Sequence, residues 1–278
     1  MSTVVFGAGY LGNLLAGSLP GAVLSRVDIL DRDAVRGALQ EHRATAVVNC
    51  AGKTGRPNVD WCEAHQKETY RGNVEGPLAL ADVCEDAGVH LVHLGSGCIF
   101  YGPSPDPRGW REDDFANPVS FYSRTKYAAD LVLSQLDNVA IVRLRMPIGS
   151  RPDPRNLITK LAGYTRVVDV ENSVTVIDDL AAVVGALLER RATGVFHGTN
   201  PGTMKHRDLL ELYRSIVSPN HEVRMISEEE LIGTGLVKKE RSNCILASDR
   251  LAALGVRMRS IDEALAATMK AYAATSGG

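Results

Sequence analysis

Val4-Val5-Phe6-Gly7-Ala8-Gly9-Tyr10-Leu11-Gly12 opens the chain with three apolar residues that run into glycines spaced G-x-G-x-x-G. The apolar triplet reads as a short strand. Behind the glycines, Leu14, Leu15, Ala16 and Leu19 mark a helix that Pro20-Gly21 ends. A glycine turn between strand and helix lets backbone N–H groups approach a pyrophosphate at the positive end of the helix. In that setting Gly7, Gly9 and Gly12 predict a dinucleotide site.

Outward from this turn, strands and helices alternate. Ala22-Val23-Leu24 is the expected second strand, and Ser25-Arg26 follow it. Ser and Arg at this strand end suit a ribose 2′-phosphate better than a free 2′-hydroxyl, so NADP(H) is favoured, while Asp28 nearby leaves NAD(H) open. Asp31 is placed to cap a helix through Ala34, Val35, Ala38 and Leu39. Ala46 to Asn49 is a third strand, ending in Cys50-Ala51-Gly52, small residues suited to close passage of a cofactor. A polar loop from Lys53 to Trp61 precedes a helix expected from Asn73 to Cys84. Val89 to Leu94 is the next strand, with Ser96 at its carboxyl end, and Val139 to Leu144 and Val195 to Gly198 are two more. His90 and His93, three apart on a strand, face opposite sides and read as structural. The proline-rich stretch from Tyr101 to Pro118 reads as a lid.

This alternation predicts an α/β fold, a Rossmann-type doubly wound parallel sheet. From Arg145 onward helices dominate (Leu209 to Ile216, Glu228 to Ile232, Ile261 to Tyr272), which predicts a smaller, mostly helical C-terminal substrate lobe. The expected division gives 1–145 plus about 174–199 to the dinucleotide-binding domain and 146–173 plus about 200–278 to the substrate lobe.

Tyr122-Ser123-Arg124-Thr125-Lys126 starts a helix-patterned run. Positions four apart share a helix face, so Tyr122 and Lys126 point the same way. An ammonium ~4 Å from a phenol at an effective dielectric of ~20 is worth about 4 kcal/mol, roughly three pK units toward the phenolate. The pair thus predicts a tyrosine tuned as acid or base.

Composition narrows the partners. Lys plus Arg number 31 and Asp plus Glu 33, a net charge of −2 that offers no field for nucleic acid or an anionic membrane. No apolar run reaches the ~18 residues that span a bilayer, and Met1 to Phe6 has no basic lead, so a cytoplasmic protein is expected. Five cysteines without Cys-x-x-Cys, and seven histidines without ligand spacing, predict reduced thiols and no metal site.

The terminal glycine turn, Ser96 after a strand and Tyr122-x-x-x-Lys126 together resemble the extended short-chain dehydrogenase/reductases, and among them the dTDP-4-dehydrorhamnose reductase type. Further strings are similar to bifunctional nucleotide-rhamnose synthases, the 3,5-epimerase/4-reductases: Gly55 to Glu63, Gly97-Cys98-Ile99-Phe100, Arg143 to Ile148, Pro154 to Lys160 and Arg241-Ser242-Asn243. The resemblance implies a nucleotide-sugar substrate and assigns Ser96, Tyr122 and Lys126 to reduction. Tyr122 would protonate the C4 oxygen, Ser96 would hydrogen-bond it, and Lys126 would hold the nicotinamide ribose. It assigns Cys98 and Lys160 to epimerisation, in which a C4 ketone acidifies the protons on C3 and C5 and a thiolate removes them. Cys98 stands two positions after Ser96, so in extended backbone both would face one side. Gly7, Gly9, Tyr10, Leu11 and Gly12 would line the pyrophosphate, and Asp28-Ile29 would flank adenine. Cys50, Ala51, Gly52 and Met146 would complete the cofactor contacts. Thr54, Arg56, Ser96, Asn156, Lys160, Arg241 and Asn243 would meet the substrate, Arg241 through its diphosphate. By analogy the family also admits a homodimer built on a helix pair. Two alternatives stay open: a monofunctional 4-keto-reductase, and a non-catalytic regulatory subunit that keeps the dinucleotide fold.

Overall fold

Val4, Val5 and Phe6 have no solvent exposure, because the strand they form, β1 (Thr3–Phe6), is paired on both sides. The computed structural model describes residues 2–56, 58–234 and 241–276. β1 runs parallel to β2 (Ala22–Ser25) and to β3 (Ala46–Asn49), beyond which lie β4 (His90–Ser96), β5 (Val139–Leu144) and β6 (Gly194–His197). The strand order is β2-β1-β3-β4-β5-β6, so the winding reverses between β1 and β3. Open α/β sheets bind ligands outside the strand ends at such a reversal. The turn after β1 and Cys50-Ala51-Gly52 after β3 both stand there.

Helices cover both faces because alternate strand residues are apolar on both. On one face, Leu15 and Leu19, at the end of α1 (Tyr10–Ser18), pack with Val5, Val48, Val92 and Val142. On the other, α2 (Arg32–Glu41), α3 (Gly76–Asp86) and α4 (Phe121–Leu133) bring Val35, Leu80 and Leu133 onto Val4, Phe6, Val47 and Leu91. Fully burying one such side chain is worth about 1.5–3 kcal/mol. Asp31 caps α2 as its sequence position predicts, accepting from Ala34 N–H at 3.0 Å.

The helix expected from Asn73 begins earlier. Gln66–Tyr70 is already helical and passes through a π turn, Arg71–Glu75, before α3. One residue is accommodated as a bulge, and it turns Asn73 inward to 1% exposure. Tyr101 to Pro118 is less free than a lid. Trp110 is buried against Phe100, its backbone bonds Ile245 and Ala247, and Asn117 clamps both backbone groups of Tyr101.

After β5 the chain is mostly helix with short strand pairs. α5 (Leu157–Ala162), the later α7 (His206–Ile216) and α8 (Ile261–Ser276) enclose a separate apolar cluster of Ile158, Leu161, Leu209, Leu265 and Met269. Between them α6 (Ile177–Arg190) returns to the sheet through Leu180, Val183 and Leu187. Leu251 and Val256 also pack with the sheet cluster.

Two glycines of the first turn are dictated by packing. Gly7 has φ +95°, and a Cβ there would lie 2.3 Å from Ala51 N; a Cβ on Gly12 would lie 2.0 Å from Gly7 O. Backbone sits on both sides, so nothing can give way. Gly7→Ala is expected to cost more than about 4 kcal/mol of stability, read as a fall in the urea midpoint.

Candidate active site

Gly9 differs from its two neighbours. Among the described residues, the atom nearest a Cβ there is a guanidinium nitrogen of Arg155, at 3.4 Å. Gly9 caps α1 without a side-chain acceptor, and no acidic residue stands in the first turn. The turn therefore offers uncapped N–H groups, space and a nearby cation, which fits a pyrophosphate. Arg155 also lies over the Tyr10 ring at 5.6 Å, a contribution that the sequence strings did not single out.

At the end of β2, Ser25 accepts from Val27 N–H at 3.2 Å, while Arg26 is exposed and makes no ion pair among the described residues. Asp28 accepts from Leu30 N–H at 3.0 Å, and Ile29 is buried against Gly76. Leu11 begins the helix beside Tyr10 and packs on the sheet. After β3, burial pushes the Cys50 thiol up to about 12, Ala51 N–H donates to Asn49 Oδ1 at 2.9 Å, and Gly52 leaves just enough room for Asn73. Met146 has φ +42°, a backbone state uncommon for a residue with a side chain.

α4 begins at Ser120, whose hydroxyl accepts from Ser123 N–H, and its first turn carries Tyr122 over the end of β4. The expected lowering of the Tyr122 pKa by Lys126 is overturned. Burial pushes the phenol well up, the Cys98 sulfur pushes it further, and Ser96 pulls the other way. Lys126 instead turns inward, where Nζ lies 3.1 Å from His93 Nε2 and donates to Leu94 O at 2.9 Å. Burial takes its pKa down to about 8, against opposite pulls from Asp130 and Cys50. His93, expected to be structural, is thus a partner of a predicted site residue. A histidine in the middle of a fully buried strand was the available signal.

The extended geometry expected for Ser96 and Cys98 is also corrected. β4 ends at Ser96, Gly97–Ile99 forms one 3₁₀ turn, and the Ser96 hydroxyl accepts from Cys98 N–H at 3.2 Å. The turn is docked on α4 by Ser123, whose hydroxyl donates to Cys98 O at 2.7 Å. Arg145 Nη1 lies 3.6 Å from Cys98 Sγ. This guanidinium is 1% exposed and donates to Ser242 Oγ, Ser242 O and Asn172 Oδ1, yet no carboxylate pairs with it among the described residues. A buried cation without a carboxylate is costly. Lys160, by contrast, makes no hydrogen bond to Cys98; burial and then Arg155 lower its pKa, with Asp153 opposing.

Of the remaining substrate candidates, Thr54 and Arg56 are exposed on the loop after β3. Asn73 holds that loop, bonding both backbone groups of Lys53 and Thr125 Oγ1 of α4. Arg241 forks onto Asp60 at 2.9 and 3.2 Å, so its guanidinium is already engaged. Asn243 bonds Glu228 and Asn172. Asn156 is corrected to a capping residue. Its carbonyl oxygen accepts from Ile158 N–H, and its amide donates to Gly149 O and Arg151 O with no exposure.

The family profile of the RmlD substrate binding domain matches residues 14–274. The bifunctional dTDP-4-dehydrorhamnose 3,5-epimerase/dTDP-4-dehydrorhamnose reductase of Arabidopsis thaliana is 39% identical over 241 residues, 84% of this chain and 79% of that protein. In longer, trifunctional relatives the same stretch spans 36% of the length. The crystal structure of the L780 UDP-rhamnose synthase from Acanthamoeba polyphaga mimivirus superposes with a TM-score of 0.90 at 31% identity, over 98% of this chain and 99% of that one. The dTDP-4-dehydrorhamnose reductase of Bacillus anthracis, seen in complex with NADP, shares the fold at a TM-score of 0.82 and 22% identity, over 96% and 98%. No helix among the described residues is long and apolar enough to cross a membrane.

Proposed function

Because the chain belongs to the family of the RmlD substrate binding domain, we propose that it is an NADPH-dependent 3,5-epimerase/4-reductase that converts an NDP-4-keto-6-deoxyhexose to an NDP-L-rhamnose-type sugar. One observation carries the reading: the turn that bears Cys98 is bonded to Ser96 through Cys98 N–H and to the first turn of α4, which carries Tyr122, through Ser123, so Ser96, Cys98 and Tyr122 are gathered at the end of β4. The bound reduced nicotinamide supplies the hydride for C4. Tyr122, kept protonated by burial, is an acid able to give its proton to the C4 oxygen, and Ser96 hydrogen-bonds that oxygen. Cys98, with the Arg145 guanidinium 3.6 Å from its sulfur, takes the proton from C3 and from C5 in turn, and each enolate so formed takes a proton back on the opposite face from Lys160 or from water. Residues 1–145 plus about 174–199 hold the cofactor, and 146–173 plus about 200–278 hold the sugar nucleotide, apart from the segment near Leu251 that packs with the sheet. The compartment inferred is the cytoplasm.

Incubation with NDP-4-keto-6-deoxyglucose and NADPH in heavy water tests both halves. Deuterium at C3 and C5 and loss of absorbance at 340 nm are expected together. The monofunctional 4-keto-reductase is the second reading, favoured by the missing hydrogen bond between Lys160 and Cys98; it predicts reduction of pre-epimerised substrate without deuterium. Arg26, exposed at the end of β2, is the residue proposed for the 2′-phosphate. Arg26→Ala is expected to weaken NADPH binding about tenfold and leave NADH unchanged, the size of one charge-assisted contact. Equal loss for both cofactors would rule that role out.

A further inference from the structure

Asn49 and His93 are opposite one another in the register of β3 and β4, so both side chains leave the sheet on the same face. There they meet Lys126 of α4, and the three are 0%, 0% and 5% exposed. The hydrogen bonds among them have fixed directions. Ala51 N–H donates to Asn49 Oδ1 at 2.9 Å; a backbone N–H needs an acceptor, so the Asn49 amide group must present its NH₂ to His93. Asn49 Nδ2 then donates to His93 Nδ1 at 3.0 Å, which leaves that nitrogen without a proton. Burial, reinforced by Lys126, holds the imidazole well below its ordinary range, so the ring is neutral and its one proton sits on Nε2. That N–H points at Lys126 Nζ, 3.1 Å away, while Nζ itself donates to Leu94 O. An ammonium has no lone pair to receive the Nε2 proton, whereas an amine has one.

We propose that Asn49 and His93 favour the neutral, hydrogen-bond-accepting form of Lys126 in the cofactor-free protein, so that in mildly alkaline solution cofactor binding draws one proton from solvent onto its amine. This rests on the reading of Lys126 as the residue that holds the nicotinamide ribose as an ammonium. The proton passes from water or buffer to Nζ, and no other bond changes. Of the other groups facing the amine, burial pushes Cys50 up to about 12 and Tyr122 well up, and His93 is held down. Burial also raises the Asp130 carboxyl, against the opposing pull of Arg143, which is paired with it at 2.9 Å. Burial brings Lys126 itself to about 8. Below that pH the amine is already charged and binding takes up almost nothing; above it the uptake approaches one. Asn49 and His93 are positioning residues that act through Lys126.

Titration calorimetry of the full chain with NADPH, in buffers of different ionisation enthalpy, reads the proton count as the slope of observed heat on buffer enthalpy. At about pH 9 the slope is expected to approach one proton taken up, with Kd rising up to about tenfold per pH unit above about pH 8. A phosphate monoester with its second ionisation near ~6 contributes nothing there. In Asn49→Asp the carboxylate accepts from Ala51 N–H and from Nδ1–H, which moves the ring proton and turns Nε2 into an acceptor for the ammonium. Its slope is expected to fall to near zero and its Kd to become flat with pH. A zero slope for the parent protein near pH 9, or the same slope in Asn49→Asp, overturns the proposal. The parent's own pH series needs no variant to fold, and a Kd constant from about pH 7 to about pH 9 overturns it equally. Failure to bind NADPH at any pH would instead remove the cofactor reading and this inference with it.

Discussion

Tyr122→Phe is expected to lower NADPH oxidation by a 4-keto-sugar about 10²–10⁴-fold, the range for losing a positioned acid, with little change in cofactor affinity. The substitution removes one hydroxyl and keeps the ring, so the packing of the first turn of α4 against the Gly97–Ile99 turn is preserved. The effect belongs to kcat because the proton is transferred only as the C4 oxygen gains charge. The phenol is pushed up by burial and by Cys98, not drawn down by Lys126. Reduction therefore begins from the neutral acid across the neutral pH range, and no activity gain on the acid side from protonating Tyr122 is expected. Stopped-flow absorbance at 340 nm, with cofactor binding followed separately by fluorescence, checks both parts. An unchanged oxidation rate in the variant would remove Tyr122 from proton transfer.

Cys98→Ala should divide the reaction. Deuterium incorporation at C3 and C5 is expected to fall by at least about 10²-fold, while a substrate already carrying the L-configuration is still reduced. The sulfur is half-buried in a one-turn helix whose backbone is held by Ser96 and Ser123, so its loss leaves the turn in place. What remains is the Arg145 guanidinium without the Cys98 sulfur. Arg145 is among the largest fully buried side chains; its Nη donors go to the neutral Ser242, Asn172 and Met146, and its Nε has no partner among the described residues. Mass spectrometry of the product sugar reads the exchange, and absorbance reads the reduction. Equal loss of both would tie Cys98 to the fold or to reduction, and unchanged exchange would give the base to another residue.

The layer order of the sheet was legible because its signals are local. A strand of Val4-Val5-Phe6, a turn that only glycine can make at Gly7, and apolar residues at helical or strand spacing each act within a few residues. The Asp31 cap was legible for the same reason, since its acceptor and Ala34 are three residues apart. The residues proposed for the site, Ser96, Cys98, Tyr122 and Lys126, were singled out by the same kind of short string. Asn156 and Arg241 show the limit. Both are polar residues in strings that resemble binding segments, yet one has its carbonyl oxygen in a helix cap and its NH₂ on the loop carbonyls of Gly149 and Arg151, and the other is matched to Asp60, 181 residues away in sequence.

The sequence by itself determined a doubly wound parallel sheet, a phosphate-sized turn at its first strand and a tyrosine and lysine one helical turn apart. Only the tertiary structure decided their electrical state. Lys126 meets His93, 33 positions earlier, and Cys98 meets Arg145, 47 positions later, across a boundary no local pattern crosses. Periodicity specifies which face of an element is buried, but charge depends on the distance to groups on other elements and on the removal of water, and both are fixed only when the elements pack.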